Sequence, residues 1–410
     1  MNLTYLLAKR LKRNNSHNNI SSRIIKVAIL ALTISVTAII ISITTGKGLQ
    51  QTIENKVTAF NGNIIISTFD NNNSQLSLNP LEFDKEAKSL LTGTDNILSF
   101  QSVAYKGGLI KNKDNFEGII FKGVDPTTYI NSSFTEFITE GRFIDSISNK
   151  KNEIVISKTL SRKLNVNIGE SVVGFFKKNN YQLIPNQRKY IIVGIYDSGF
   201  FDFDDTYIIG DLNQVQSLNS WSTNQVGSIE VYIKDSKNDN LLAKQLYESL
   251  PSNLDVITLR SKYDSIFQWI SLFDLNIYII LIIMILVGLI NVATALLILI
   301  FERTSMIGIL KTIGATDFQI QKVFLWNGFQ IIIKGIIFGN ILGLGFYLSQ
   351  KYLRWIKLDP YTYYVNYAPV RLDFLDLISL NLFTVFICLF LLLFPTKIIS
   401  SFSPIENLRH

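Results

Sequence analysis

Few residues of this chain have the types and spacing that catalysis or metal binding requires. Its single cysteine, Cys388, lies inside an apolar run, and its two histidines, His17 and His410, lie near opposite ends. One thiol and two distant imidazoles provide neither a disulfide framework nor a metal cluster. The chain also contains no G-x-x-x-x-G-K-S/T, H-E-x-x-H or G-x-S-x-G motif. We therefore expect no catalytic residue, metal or cofactor in this chain.

The segment from Phe301 to Gln321, between two long apolar runs, has a pattern that suits contact with a partner. Apolar residues recur at helical spacing from Ile307 onward, and Gly314 is a typical helix end. Thr316 followed by Gln319 forms a capping-box pattern that starts the next helix. A short helix between two spans can present a surface to a cytosolic partner, and a plain inter-helix turn is the alternative. The candidate contact residues are Glu302, Arg303, Ile307, Gly308, Leu310, Lys311 and Gly314.

The composition is that of an integral membrane protein with a sizeable polar domain. The chain has 410 residues, of which 48% are apolar and 17% are charged. Soluble domains have roughly 25% charged residues. Its net charge of +7 is explained by basic residues at cytoplasmic flanks of membrane spans, so we expect no nucleic-acid partner.

Four apolar runs predict a membrane protein with four transmembrane α-helices and a large α+β extracytoplasmic domain inserted between helices 1 and 2. Residues 1–26 contain six basic side chains and no acidic one, which predicts a cytoplasmic N-terminus. Four spans then return the C-terminus to the cytoplasm. The predicted segments are a cytoplasmic amphipathic segment (1–23), span 1 (24–45), a periplasmic domain with helical stalks (46–270), span 2 (271–301), a coupling helix (302–322), span 3 (323–348), a short periplasmic loop (349–374), span 4 (375–395) and a cytoplasmic tail (396–410).

The N-terminal segment has a pattern that suits contact with the membrane surface. Leucines recur at helical spacing over residues 2–13, among four basic residues. This pattern predicts a helix on the inner leaflet, with a disordered basic tail as the alternative. The basic lead is too long for a signal peptide, so we expect the first span to be retained.

Residues 61–260 change to short strand-like runs separated by polar turns, which predicts an α+β domain of about 200 residues with its own core. The predicted strands are Asn63–Ser67, Val103–Ile110, Phe116–Lys122, Glu153–Ser157, Ser171–Phe176, Tyr190–Tyr196, Thr206–Ile209, Ser228–Lys234 and Val256–Leu259. The predicted helices are Asp84–Leu91, Lys158–Leu164, Leu212–Leu218 and Asn240–Leu250.

Amphipathic stripes connect this domain to the first two spans. One stripe follows span 1 and the other precedes span 2, so each stalk is predicted to be continuous with a membrane helix. A continuous helix transmits tilt and translation along its length because its hydrogen-bond ladder is unbroken. The stripes are Leu49, Ile53, Val57 and Phe60, with Gly62 as the stop, and Ile266, Ile270, Phe273 and Ile277.

The third span has two unusual features. Gly335, Gly339 and Gly343 form a repeated small-residue face that lets another helix approach closely. Lys334 lies within the same apolar run, where a charge is expensive. It extends to the inner face of the membrane, lines a polar seam, or contacts a lipid headgroup or a substrate. Tyrosines in the following loop are typical of interfacial anchoring.

The coupling segment, from Glu302 to Ala315, has the sequence pattern E-R-x-x-x-I-G-I-L-K-x-I-G-A. This pattern resembles the coupling segment of FtsX-like (type VII) ABC permeases, the family of the lipoprotein-releasing permeases and the MacB-type exporters. The resemblance covers essentially the whole chain. It extends to the opening Ala8-Lys-Arg10 and Gly48-Leu49, where leucine replaces an aromatic residue. It also covers three later segments: Asn152–Lys158, Val193–Gly199 and the ending Ser403–Arg409, where Asn407 replaces alanine.

The resemblance implies a set of partners. Two permeases, identical or paralogous, would each bind one cytosolic ABC ATPase subunit, and that subunit would bind the ATP and magnesium. In the lipoprotein-releasing branch, the outer domains would move and transfer lipoproteins from the bacterial inner membrane to a periplasmic carrier. Acyl chains and membrane lipids would contact the stalks, in a pocket formed by Leu49, Ile53, Ile266, Ile270 and Phe273. Ordinary packing between the stalks is the alternative for each of these residues.

Two other functions share this layout. A MacB-like efflux subunit would transmit motion in the same way, although such proteins usually have a fused ATPase domain, for which this chain has no room. A membrane sensor or scaffold that controls a periplasmic cell-wall hydrolase would use the same mechanics. The proteins that copurify with the chain distinguish these functions.

Overall fold

The computed structural model describes residues 20–71, 74–113, 115–129, 133–145, 152–177, 185–235 and 238–397. They belong to two compact units. The helical unit comprises the described parts of Met1–Gln50, Ile270–Lys357 and Tyr367–His410, and the strand-rich unit comprises those of Gln51–Trp269 and Leu358–Asn366. The predicted helix at residues 2–13 and the tail beyond residue 397 lie outside the described residues.

The elements follow the sequence in this order. The helices are α1 (Ile20–Asn61), α2 (Lys85–Gly93), α3 (Pro126–Tyr129), α4 (Lys158–Leu164), α5 (Phe201–Asp204), α6 (Leu212–Asn219), α7 (Asp239–Ser249), α8 (Leu259–Lys262), α9 (Asp264–Glu302), α10 (Thr304–Thr312), α11 (Asp317–Leu353), α12 (Pro360–Tyr363) and α13 (Phe374–Thr396). The strands are β1 (Ile64–Thr68), β2 (Leu81–Glu82), β3 (Ile97–Asn112), β4 (Asn115–Val124), β5 (Ile138–Gly141), β6 (Glu153–Ser157), β7 (Ser171–Phe176), β8 (Asn186–Tyr196), β9 (Tyr207–Asp211), β10 (Gln225–Val226), β11 (Ser228–Ile233) and β12 (Leu254–Thr258).

Four helices within the described residues, α1, α9, α11 and α13, are long and apolar enough to cross a membrane. The 42 residues of α1 correspond to a helix of about 63 Å, whereas the hydrocarbon core of a bilayer is about 30 Å thick. The 39 residues of α9 also exceed one membrane thickness. Each of these two helices therefore continues without a break from the predicted span into the residues of the predicted stalk.

The glycine face of α11 packs against α1. A Cβ atom added to any of the three glycines would lie within 3.0 Å of an α1 side chain, so only glycine permits this approach. The hydroxyl of Thr33 donates to Gly335 O at 3.4 Å, at the same contact. The facing pairs advance together along both helices, which makes α1 and α11 parallel: Gly335 with Leu32, Gly339 with Val36 and Gly343 with Ile40.

The other two long helices run in the opposite direction. Gly328 of α11 faces Leu392 of α13, and twelve positions later in α11 the amide of Asn340 exchanges hydrogen bonds with Asn381, so these helices are antiparallel. Helix α9 is antiparallel to α1, because Gly288 faces Leu32 and Ile277 faces Gly46. The start of α1, the end of α13 and helix α10 therefore lie at the same end of the helical unit.

The strand-rich unit is built on a ten-stranded sheet of mixed direction with the order β12-β1-β11-β3-β4-β9-β6-β8-β5. The tenth strand, β7, pairs with β3 and β8. The pairs β4–β9 and β6–β8 are parallel, and the other pairs in this sheet are antiparallel. Strand β3 has sixteen residues and pairs with β11, β4 and β7, so it connects two apolar cores.

All nine predicted strands and all four predicted helices of this domain are present. Three of these elements, β6, β7 and α4, have the predicted bounds. Three strands were missed, namely β2, β5 and β10, with two to four residues each. A strand this short has too few residues to give a period-two pattern, so its pairing is decided by neighbours distant in the sequence.

We expect Gly339→Ala to destabilise the helical unit by about 1–3 kcal/mol, because the added methyl group would lie 2.6 Å from Val36 Cβ. The control is Gly345→Ala in the same helix, since a Cβ at Gly345 has no neighbour within 4 Å. That change should leave stability unchanged or raise it by up to about 1 kcal/mol. A thiol-reactive dye in a thermal ramp measures both, because Cys388 is buried in this unit. Equal shifts in the unfolding temperature of the two variants would contradict the close packing of Gly339 against α1.

Candidate functional site

The predicted coupling segment is a short helix with a fixed end. The amide of Ala315 donates to Leu310 O at 2.9 Å and that of Gly314 donates to Lys311 O at 3.0 Å, which together form a Schellman motif. Gly314 has φ +94°, a conformation that favours glycine. The Lys311 ammonium forms a 2.8 Å ion pair with Asp317 across the turn. The helix and its stop at Gly314 are therefore confirmed.

The start of α11 is also fixed as predicted. The backbone amide of Gln319 donates to Thr316 Oγ1, and the backbone amide of Thr316 donates to Gln319 Oε1 at 3.0 Å. This reciprocal pair is the predicted capping box, and it satisfies two amides at the helix start. Because both sides of the turn are hydrogen-bonded, the segment has a defined shape on which a partner can act.

The structure separates the predicted contact residues into buried and accessible groups. Ile307 and Gly308 are buried, and Ile307 belongs to the apolar core of the helical unit, with Leu310 packed against that core. Glu302 and Gly314 are exposed, whereas Arg303 and Lys311 are half-buried. Ile307, Gly308 and Leu310 therefore attach the helix to the bundle, and a partner can reach the opposite side.

The opposite side has exposed apolar residues that the sequence analysis did not select. Ile309 is 47% exposed, Ile313 is 78% exposed and Phe318 is 72% exposed. Ile309 and Ile313 are four positions apart, so they lie on the same face of the helix. The sequence analysis selected the side of Ile307 and Leu310, and packing places that side against the core of the helical unit. We call Ile309, Ile313 and Phe318 the exposed coupling face.

The C-terminal end of α1 lies in an aromatic cluster of the strand-rich unit. The ring of Phe60 stacks on Phe203 at 4.5 Å and meets Phe134 edge-on at 5.0 Å between centroids. Gly62, at φ +70°, ends the helix as predicted, and its amide donates to Thr58 O at 2.7 Å. The helix end is thus held by large rings as well as by its covalent connection to β1.

A buried ion pair lies against the same helix end. Lys122 of β4 and Glu230 of β11 are each 1% exposed, and their charged atoms are 2.8 Å apart. The Lys122 ammonium also donates to Phe60 O, the carbonyl at the end of α1. Gln101 Nε2 and the Tyr105 hydroxyl donate to the Glu230 carboxylate at 2.6 and 2.5 Å. Burial lowers the pKa of Lys122, while burial and the adjacent carboxylate raise the pKa of Tyr105.

A second polar contact joins α1 to the segment between spans 3 and 4. The Lys56 ammonium donates to Tyr364 O at 2.9 Å, and the Tyr364 ring stacks on Phe200 at 4.4 Å between centroids. Tyr364 also meets Trp269 edge-on at 5.7 Å. The ring of this tyrosine therefore has aromatic partners within the strand-rich unit, while anchoring of the loop tyrosines at the membrane interface stays a prediction. Burial lowers the pKa of Lys56 to about 8.

Asp204 stabilises the loop that holds Phe200. Its carboxylate accepts hydrogen bonds from the Ser198 hydroxyl at 2.7 Å and from the Gly199 amide at 2.9 Å. Burial nevertheless raises the pKa of Asp204 to about 6, although these hydrogen bonds act in the opposite direction. The pKa shifts of Asp204 and Lys56 are thus both dominated by burial in this part of the unit.

The predicted lipid or substrate pocket residues occupy both units. Leu49 and Ile270 are buried in the helical unit, where the Gln50 side-chain amide donates to Ile270 O at 3.2 Å. Ile53 is fully buried in the strand-rich unit, while Ile266 and Phe273 are half-buried. Their burial fits the predicted stripes, and their contact with acyl chains stays a prediction.

The glycine that precedes this stripe allows a close backbone contact. A Cβ at Gly48 would lie 2.4 Å from Pro369 O. Nearby, the Lys47 ammonium forms a 2.7 Å ion pair with Asp376, and the Arg371 amide donates to Thr44 O at 2.9 Å. The end of the helical unit opposite α10 is therefore closed by contacts between α1 and the chain that leads into α13.

Comparison with protein families identifies the group to which the chain belongs. The MacB-like periplasmic core domain matches residues 27–248, and the FtsX-like permease C-terminal domain matches residues 278–404. The chain is an FtsX-like ABC transporter permease. The permease fold found here, with four long apolar helices and a strand-rich domain between the first two, agrees with the pair of family matches.

Curated relatives align with the permease over its full length. It is 20% identical to the lipoprotein-releasing system transmembrane protein LolE of Haemophilus influenzae, over 100% of this chain and 99% of that protein. It is 22% identical to the corresponding LolC of Neisseria meningitidis, over 100% and 98%. Among solved structures, the crystal structure of the periplasmic region of MacB from Actinobacillus actinomycetemcomitans is similar to this chain with a TM-score of 0.36 and 16% sequence identity. The alignment covers 50% of this chain and 91% of the MacB chain.

The Lys122–Glu230 pair should show strong energetic coupling. We expect Glu230→Gln to cost about 3–5 kcal/mol, because it leaves the buried ammonium without its counter-charge. The double variant with Lys122→Met should cost less than the sum of the single changes by about 1–3 kcal/mol. Urea unfolding of the permease, followed by the circular dichroism of the sheet, measures this cycle. The surface pair Lys163–Asp205 is the control, with a coupling below about 1 kcal/mol. If the free-energy costs of the two single changes at the buried pair simply add, Lys122 and Glu230 are not energetically coupled.

Asp204 should contribute a specific pH dependence to stability. Its pKa is raised on folding from 3.8 to about 6, so its favourable contribution is present below pH 3.8 and is lost as the pH rises through about 6. Relative to the parent, Asp204→Asn should therefore gain up to about 3 kcal/mol in stability between pH 4 and pH 7. Thermal unfolding across this range measures the difference, and Asp202→Asn controls for loss of a charge from the same turn. A difference that does not vary with pH would contradict the assignment.

Proposed function

We propose that this permease uses ATP hydrolysis by a separate cytosolic subunit to move its strand-rich domain and release lipoproteins from the inner membrane to a periplasmic carrier. The observation on which this proposal rests is helix α1. It is unbroken from Ile20 to Asn61, packs on glycines of α11 and ends beneath the buried Lys122–Glu230 pair. Such a helix is suited to transmit displacement, since its ends are both firmly held. The relatives LolE and LolC align with this chain over its full length and are named for lipoprotein release, which supports lipoproteins as the substrate class.

The orientation of the permease follows from its charge pattern. Helix α10, the start of α1 and the end of α13 lie at one end of the helical unit, and we assign this end to the cytoplasm. The basic residues of positions 1–26 support this assignment, because basic residues are retained on the cytoplasmic side. Both termini are then cytoplasmic, and the strand-rich domain is periplasmic in the inner membrane of a bacterium.

The exposed coupling face is the proposed binding surface for the ATPase subunit. Three apolar side chains project from a turn whose two ends are fixed by the Schellman motif and the capping box. Exposed apolar residues on a rigid element are typical anchors in interfaces. ABC ATPases act as dimers, so a second permease subunit, identical or paralogous, would supply the second coupling face.

The free energy needed to extract the acyl chains of a lipoprotein from the membrane explains why ATP is required. Each buried CH₂ group of an acyl chain costs about 0.8 kcal/mol to remove from a membrane, so a lipoprotein with several chains does not leave unaided. In this proposal the acyl chains contact the stalk residues Leu49, Ile53, Ile266, Ile270 and Phe273 when the stalks move. The permease itself contributes movement and an apolar surface, and the ATPase subunit contributes the ATP and magnesium.

A MacB-like efflux subunit is the second candidate, because the match to the MacB-like periplasmic core domain covers residues 27–248. Such a subunit would move the same periplasmic domain to expel a soluble molecule. The two functions differ in what leaves the membrane. Release of an acylated reporter to a soluble carrier, in spheroplasts that contain the permease and its ATPase, supports the first function. Export of a soluble compound without release of the reporter supports the second.

Loss of the exposed coupling face should separate the permease from its ATPase. We expect Ile309→Ser with Ile313→Ser to reduce copurification of the ATPase and reporter release by at least about tenfold, because truncation of an interface anchor typically costs 2 kcal/mol or more. The double variant should still insert in the membrane, since both side chains are exposed. Leu241→Ser is the control, because Leu241 is 63% exposed but lies in the strand-rich unit. Undiminished ATPase binding by the double variant would refute the assignment of this face.

A further inference from the structure

A cavity in the helical unit has a basic lining. It lies between α1, α9 and α11 and has a volume of about 230 Å³. Three cationic residues line it: Lys26 from α1, Arg303 from the junction between α9 and α10, and Lys334 from α11. Among the residues that the structure describes, no carboxylate lines the cavity and none forms an ion pair with these three cations. The lining is therefore positively charged, which favours an anion.

The polar groups around the cations also suit an anion with several oxygen atoms. Ser22, Asn327 and Gln330 complete the polar lining, and each can donate a hydrogen bond. Arg303 Nε is buried and has no hydrogen-bond partner among the described residues. A buried guanidinium donor without an acceptor is costly, so an acceptor from outside the chain would stabilise this arrangement. A phosphate offers such acceptors, and the cavity is several times larger than the roughly 30 Å³ of one water molecule.

The surface next to the cavity offers a lipid a second contact that a soluble anion does not use. Lys334 begins an exposed stripe on α11 at positions i, i+3, i+4 and i+7, and the other members are Ile337, Phe338 and Ile341. These three apolar residues are between 52% and 60% exposed, within a helix that is long and apolar enough to span a membrane. An acyl chain can lie along this stripe while its phosphate occupies the cavity. A free phosphate would use the cations alone.

The register of the helices places the cavity near one membrane face. The parallel contacts between α1 and α11 put Lys26 beside the turn of α11 that holds Gln330, and Arg303 follows the last residue of α9. This is the end of the unit that includes α10. Basic pockets between membrane helices at the cytoplasmic face are typical sites for anionic lipid headgroups.

We infer that this cavity binds the phosphate of an anionic phospholipid, with Lys26, Arg303 and Lys334 as the cationic ligands and the Ile337–Ile341 stripe as the acyl-chain contact. The bound lipid supplies the negative charge that the described lining lacks. Because Arg303 directly precedes α10, lipid occupancy stabilises the junction between α9 and the coupling helix. The site is separate from the stalk residues proposed for the lipoprotein substrate and does not depend on the identity of that substrate.

The test uses the full-length permease in mild detergent with phosphatidylglycerol, phosphatidylcholine or inorganic phosphate as the probe. Native mass spectrometry counts the retained lipids, and a thermal ramp with a Cys388-reactive dye measures stabilisation. We expect the parent to retain phosphatidylglycerol in preference to phosphatidylcholine. Lys26→Gln with Lys334→Gln should weaken phosphatidylglycerol binding by roughly thirtyfold, since each cation near the membrane surface contributes about 1 kcal/mol.

Matched variants make the result specific. Lys322→Gln removes an exposed lysine of the same helix that does not line the cavity, and it should bind phosphatidylglycerol as the parent does. Lys334→Arg keeps the charge and should also retain the lipid, which separates loss of binding from loss of folding. Equal retention by the parent and the double glutamine variant would overturn the site. Full stabilisation by inorganic phosphate alone would overturn the lipid as ligand, and tighter lipid binding after deletion of residues 398–410 would identify the tail as the natural occupant instead.

Discussion

The continuous hydrogen-bond ladder of α1 is the constraint on which the rest of the permease depends. This helix is a core element of the helical unit, where its apolar side chains fill the gaps left by the glycines of α11. Its last turn is a core element of the strand-rich unit, where Phe60 lies among aromatic rings and its carbonyl accepts a bond from Lys122. One uninterrupted helix, Ile20–Asn61, thus contributes to the cores of both units.

The ion pair at the end of α1 contributes more to the position of the helix end than to stability. Two apolar residues of the same volume could be as stabilising as Lys122 and Glu230, because burial of the charges offsets much of their attraction. An ammonium group, however, can bond to both a carboxylate and a helix carbonyl. It thereby ties β4, β11 and the end of α1 at a single point. A directional contact of this kind fixes the helix end in a way that apolar packing does not.

Polar groups in the helical unit fall into two classes with different consequences. Asn340 and Asn381 satisfy each other between two helices, so they specify packing and need no ligand. Lys26, Arg303 and Lys334 lie around a cavity without a described counter-charge, so they point to a molecule from the surroundings. The distinction rests on hydrogen-bond satisfaction, since a polar group within apolar surroundings is costly until it finds a partner. In the coupling segment the distinction is one of apolar burial instead, since Ile307 is buried and Ile313 is exposed.

The sequence by itself determined the elements whose signals are local. The four long helices, the capping box at Thr316 and the stop at Gly314 follow from apolar periodicity and from side chains that bond to their own backbone. The tertiary structure alone decided which face of α10 is free, that Tyr364 packs on Phe200, and that Lys122 meets Glu230 across more than a hundred residues. It also brought Lys26, Arg303 and Lys334 to one cavity. These outcomes depend on helix register and sheet order, which are set by packing between distant segments and leave no periodic pattern in the chain.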